Sequence, residues 1–157
     1  MLAAEHWRQM VKVEHAQSDE LRGSVPPTID HWRPYAVQFQ ADPRRSGDVL
    51  VDHLLEFIGP DDTVMDVGAG GGRLALPIAL NCRSLVAVEP SESMAEVLTQ
   101  QAQESGIANV AVVQNGWQDA VVDLADVVLC AHVLYTIRDI GRFLKKLGSH
   151  ARNTVLV

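Results

Sequence analysis

Little in this chain is equipped to react through sulfur, to cross a bilayer or to grip a polyanion. It has only two cysteines, Cys82 and Cys130, both in apolar surroundings and without metal-ligand spacing. That excludes a thiolate metal centre and a disulfide scaffold, and it fits a reducing cytoplasm. No apolar run approaches a membrane span in length, and the Met1 end lacks a basic-then-apolar leader, so no membrane partner is expected. Basic residues are in deficit, 13 against 20 acidic ones, for a net charge of -7 and a pI near 5.2. Such a balance opposes nonspecific attachment to nucleic acid. Internal repeats and low-complexity tracts are also missing. What remains is 157 residues, 47% of them apolar, enough for one domain with a real core.

What is present is concentrated between Asp62 and Arg73. A short β-rich run, Thr63 to Val67, ends in four glycines, and Leu74 to Leu80 then has helical length. The glycines therefore occupy a strand-to-helix turn. Lacking Cβ and tolerating positive φ, they let backbone N–H groups approach a bound molecule at the positive end of a helix. A dinucleotide fingerprint, G-x-G-x-x-G, would need its third glycine where Arg73 stands. The pattern that fits is Asp-x-Gly-x-Gly-x-Gly from Asp66 to Gly72. A carboxylate at the strand end repels a pyrophosphate and suits a ligand carrying positive charge. The plain alternative is that the glycines are only a turn.

A second buried strand, Ser84 to Val88, is closed by Glu89. In nucleotide-binding α/β folds an acid there accepts hydrogen bonds from both ribose hydroxyls, and its spacing is independent of the glycine pattern. With both acids in place, the chain from about Val49 to Val157 resembles the class I S-adenosylmethionine-dependent methyltransferases. The resemblance implies S-adenosyl-L-methionine as cofactor, with Asp66 toward its ammonium and sulfonium, Gly68, Ala69 and Gly70 as the cradle, and Glu89 on the ribose. It places Met94 against the adenine, where a thioether suits an aromatic face, and Pro90 among the cofactor contacts. Many relatives carry Gly-Asp after the third strand, Asn109 to Val113, where this chain has Gly116-Trp117. An indole there either stacks on the adenine or walls it off, leaving its amino group to Gln118 or Asp119.

The fourth strand, Ala125 to Cys130, leads into Ala131-His132-Val133-Leu134-Tyr135, the counterpart of motif IV beside the transferable methyl. Neither Asn-Pro-Pro-Tyr, a mark of amide or exocyclic nitrogen acceptors, nor Pro-Cys, a mark of pyrimidine attack, is present. Cys130 thus reads as a strand cysteine. Ala131 falls among the cofactor contacts, and His132 is the candidate general base, with packing as the competing role. Trp32, Tyr35 and Tyr135 are candidates for the acceptor side, or else core aromatics. The acceptor implied is a small molecule. An NAD(P)-dependent oxidoreductase and a non-catalytic S-adenosylmethionine-binding protein are the alternatives.

Strands alternating with helices point to an α/β class, a Rossmann-like, doubly wound, mostly parallel sheet of about five strands with helices on both faces. Residues 1–45 read as an N-terminal helical segment and 46–157 as the cofactor domain. An amphipathic helix is expected from Leu2 to Gln17, then a break at Gly23 and Pro26-Pro27 with a cap at Thr28. A second helix carries Val49, Leu50, His53, Leu54, Phe57 and Ile58 on one apolar face, with His53 as a structural histidine. Another has a capping box from Ser93 to Glu96. The link between the third and fourth strands is too short for a full helix. Asp139 caps a helix with Ile140, Phe143, Leu144 and Leu147 inward and Lys145-Lys146 outward. Thr154 to Val157 starts a fifth strand, where family members continue with a helix and two more strands. The expectation is an N-terminal portion of a longer methyltransferase, or a homodimer sharing that strand edge.

Overall fold

The computed structural model describes residues 3–23 and 30–157, so Pro26-Pro27 and Thr28 lie outside the described residues. Five strands form the sheet: β1 (Thr63–Val67), β2 (Ser84–Val88), β3 (Val110–Val113), β4 (Ala125–Leu129) and β5 (Ala151–Leu156). β1, β2 and β4 are mostly buried apolar runs, as strands covered on both faces require, while β3, at one edge of the sheet, is only partly buried. All pair in parallel in the order β3-β2-β1-β4-β5. The chain works outward from β1 to β3 and then crosses to β4, so the order reverses between β1 and β4. A crevice opens there at the carboxyl ends of the strands.

The pleat sorts the core onto two faces. Val64 and Leu85 pack with α2 (Val49–Leu55), α3 (Ala75–Ala79) and α4 (Glu92–Glu104), through Leu54, Leu76, Ile78 and Leu98. Met65, Val67 and Val88 pack on the other side against Phe143 and Leu147 of α5 (Ile140–His150). Each such fully buried side chain stabilises the fold by about 1.5–3 kcal/mol. The architecture is the α/β, Rossmann-like one expected, with helices on both faces.

Details of phase differ from the sequence reading. The Asp48 carboxylate accepts from Leu50 N and Val51 N, which starts α2 so that Val51, Leu54 and Ile58 turn inward. Val49, His53 and Phe57, four residues apart, are left on the exposed side, so His53 is a surface residue facing Glu56 at 3.4 Å rather than a core histidine. In α4 the cap is Ser91, whose hydroxyl accepts from Met94 N at 3.2 Å, two residues before the expected box. Leu144 is 40% exposed, while Lys146 is half-buried, turned back toward the β3–β4 connection.

α1 (Ala3–Arg22) runs past Gln17 and buries only Val11 among its described side chains. It lies against α5 and the loop after β4, held by Trp7 Nε1 donating to Ile137 O at 2.8 Å and by a 3.1 Å contact between Arg138 Nη2 and His15 Nδ1. No described helix is long and apolar enough to cross a membrane.

Candidate functional site

A cavity of about 1130 Å³ opens over the carboxyl ends of β1, β2 and β4. Its floor is the glycine turn, and Glu14, His15 and Ser18 of α1 line its far side. Gly68, Gly70 and Gly72 have φ of 80°, 56° and 90°, the left-handed region where a Cβ is disfavoured. A Cβ on Gly68 would run into Val133 Cγ2, and one on Gly72 would stand 3.0 Å from Leu98 Cγ, but one on Gly70 would meet nothing within 4 Å. Gly68 and Gly72 thus let the turn pack, and Gly70 leaves space open beside the cavity.

The turn offers shape more than free donors. Gly68 N and Ala69 N donate to Val88 O at 2.8 and 3.3 Å, and Gly70 N donates to Glu89 Oε2 at 2.8 Å. α3 has five residues, so the expected helix-dipole contribution is small, the effect being built from aligned turns.

The charged centre is the pair Asp66 and Glu89. Asp66 is 3% exposed and lines the cavity, and nothing among the described residues donates a hydrogen bond to its carboxyl. Burial first, and then the charge of Glu89, push its pKa up to about 7. Glu89 is also buried, and burial raises it against the opposing pull of the Ser91 and Gly70 amides. Each of its oxygens accepts one N–H, Ser91 N on Oε1 and Gly70 N on Oε2, both at 2.8 Å. Each keeps one lone pair for a further donor.

Asp30, which the sequence reading passed over, fastens the N-terminal segment to this site. It accepts from Trp32 N at 3.1 Å, Ser91 Oγ at 2.8 Å and Ser93 N at 2.8 Å. Burial works to raise its pKa, but the bonds from Ser93, Ser91 and Trp32 outweigh it and hold it at about 2. The signal was there in Ser91-x-Ser93 at the start of a helix, a set of donors wanting an acceptor.

Ala69, Pro90, Met94, Gly116, Trp117, Ala131, His132, Trp32 and Tyr135 all line the cavity alongside the acids and glycines. Tyr35 does not line it: residues 30–35 fold as turns, and the Tyr35 ring lies 6.5 Å from His31, 48% exposed. Trp117 is a wall. It is 5% exposed, packs edge-on against His150 at 5.1 Å, and its Nε1 has no hydrogen-bond partner among the described residues. His132 is the sole non-glycine among the described residues with positive φ, 60°, an outlier of the kind found at binding sites. Burial pushes the Cys130 thiol up to about 12 and Cys82 to about 11, so neither is a nucleophile near neutral pH. Arg73, Arg138 and Phe39, also in the lining, carried no sequence signal beyond their neighbours.

The family profile described as a methyltransferase domain matches residues 64–153. A ubiquinone biosynthesis O-methyltransferase of Rickettsia conorii is 30% identical over 90 residues, 57% of this chain and 31% of that protein. The chain spans about a third of the length of the curated relatives it matches. Among solved structures, an S-adenosylmethionine-dependent methyltransferase of Thiobacillus denitrificans in complex with S-adenosyl-L-homocysteine aligns with TM-score 0.62 at 15% identity, over 76% of this chain and 51% of that one. Coclaurine N-methyltransferase, bound to N-methylheliamine and S-adenosylhomocysteine, aligns with TM-score 0.61 at 18% identity, over 96% of this chain and 56% of that one. These two likenesses establish the fold.

Proposed function

We propose that this chain, which belongs to the methyltransferase-domain family, binds S-adenosylmethionine across the carboxyl edge of its sheet and directs the methyl group to a small-molecule acceptor. The observation that carries the reading is Asp66, a buried carboxyl on a large cavity with no donor of its own among the described residues. Such a group is costly until a cation meets it. An ammonium beside a sulfonium is a partner of that kind, and a pyrophosphate is not.

The remaining residues fit the rest of the ligand. Glu89, held by two amides, has the two lone pairs that a ribose diol needs. Pro90, Met94, Gly116 and Trp117 supply apolar walls for a flat base, and Gly68, Ala69 and Gly70 leave room for close approach. When bound, the cofactor supplies a methyl group on a positively charged sulfur, an electrophile that needs no further activation. The protein contributes alignment and exclusion of water. Ala131 and His132 border the reacting end after β4, and His132 is the side chain we assign to receive a proton from a hydroxyl acceptor. Trp32 and Tyr135 face the acceptor.

A net charge of -7 and the acids lining the cavity disfavour a polyanionic acceptor. With β5 at the edge of the sheet, self-association through that strand is the homodimer contact we assign. The test is incubation with methyl-labelled S-adenosylmethionine and pools of hydroxylated and amine compounds. Label in the small-molecule fraction is the expected result. Label confined to RNA, DNA or protein overturns the acceptor class, and cofactor binding with no transfer to any acceptor leaves a binding protein in place of an enzyme.

A further inference from the structure

The connection from β3 to β4 is where this fold is short of structure. Where a crossover helix would satisfy its own carbonyls, residues 116–120 make one turn, with Asp119 N and Ala120 N donating to Gly116 O at 3.0 and 2.9 Å. A single turn leaves its last carbonyls without backbone donors. Lys146, from the middle of α5, supplies the missing ones. Its Nζ donates to the carbonyls of Trp117 at 2.7 Å, Gln118 at 3.2 Å and Ala120 at 2.8 Å. It also stands 4.6 Å from the centre of the Trp117 ring. An ammonium has three N–H bonds and all are used here. One atom with three diverging donors suits three converging carbonyls, which a planar guanidinium does not.

Gly116, Trp117, Gln118 and Asp119 line the cavity, and Lys146 does not. We infer that Lys146 is a positioning residue: by pinning the 116–120 turn it holds the wall that receives the adenine end of S-adenosylmethionine, without touching the ligand. The inference rests on the cofactor reading above. Without the ammonium, three carbonyls face α5 unpaired, the turn is free to unwind, and Trp117 leaves its place against His150.

Lys146→Met keeps the unbranched stem and its packing while removing every donor. Affinity is measured for S-adenosylhomocysteine and for adenosine, which carries only the base and ribose. Both are expected to weaken by the same factor, about tenfold, the loss of a few charge-assisted bonds partly replaced by water. The tryptophan emission that disappears in Trp117→Phe is expected to shift in Lys146→Met, and Lys146→Arg to recover part of the affinity. Unchanged affinity for both ligands, or a loss for S-adenosylhomocysteine alone, overturns the inference. If Lys146→Met does not fold, Lys146→Leu, which likewise has no donor, carries the same comparison with the same deciding outcomes. Failure of the unsubstituted chain to bind either ligand overturns the cofactor reading itself. In that event the Lys146→Met emission separately decides whether the turn is pinned.

Discussion

Asp66→Asn separates two consequences of one buried acid. In the unfolded chain this carboxyl titrates near 3.8, and in the fold near 7. That is a difference of roughly 3 units, or on the order of 4 kcal/mol at 1.36 kcal/mol per unit. Because the folded value is the higher one, folding takes up a proton between the two. The group's favourable contribution is complete below about pH 3.8 and is lost as pH rises through about 7. An amide of the same shape removes that titration. The variant is therefore expected to melt higher than the parent at pH 8, by about 10 °C at 2–4 °C per kcal/mol for a domain of this size, and by a smaller margin at pH 5. Ligand binding moves the opposite way. The carboxylate is the partner of the ligand's positive charge, so the variant loses at least about tenfold in affinity for S-adenosylmethionine at pH 8. The parent's own affinity falls about tenfold between pH 8 and pH 6, since only the ionised form meets the cation, and the variant's profile is flat. Differential scanning calorimetry and titration calorimetry read both effects. A variant that melts lower than the parent at pH 8, or binds as tightly with the same pH profile, refutes the reasoning.

Glu89→Ala is expected to weaken S-adenosylhomocysteine by about 1.5–3 kcal/mol in titration calorimetry, and an unchanged affinity removes the ribose assignment. Gly70→Val fills the open space beside Glu89, and Gly68→Val collides with Val133. Both should abolish binding, with the larger fall in melting temperature for Gly68→Val, and normal binding by both would reduce the glycines to a turn. Asp30→Ala removes the acceptor for Ser91, Ser93 and Trp32 and should cost about 1–3 kcal/mol near neutral pH. In the parent that contribution is present above about pH 3.8 and fades as pH falls toward about 2, so identical melting of both chains at pH 6 contradicts the role.

The parts of the fold set by short-range pattern were legible in the sequence. β1 and β2 span the same residues as the short β-rich runs Thr63 to Val67 and Ser84 to Val88, because runs of that length, bounded by turn residues, favour a buried strand over a helix. Asp66, Glu89 and the glycines could be placed for the same reason, each being fixed by its distance from a strand end. Helix phase was harder. His53 was read inward because Val49 and Phe57 share its stripe, but the Asp48 cap set the rotation and put that stripe in water. Asp30 carries no local signal and Lys146 reads as an outward lysine because their partners lie 61 and 29 residues away in the chain. No local pattern records such a pairing. Tyr35 was grouped with Trp32 by proximity, and the turns between them sent the two rings to different surroundings.

The central claim, that the cavity over Asp66 and Glu89 is a site for S-adenosylmethionine, is tested most directly by calorimetric titration of the 157-residue chain. Three ligands suffice: S-adenosylmethionine, S-adenosylhomocysteine and a nicotinamide dinucleotide. The account predicts saturable binding of the first two at one site per chain, with proton release near pH 7 as Asp66 ionises, and no comparable binding of the dinucleotide. Binding of the dinucleotide with no response to either sulfur compound would contradict it.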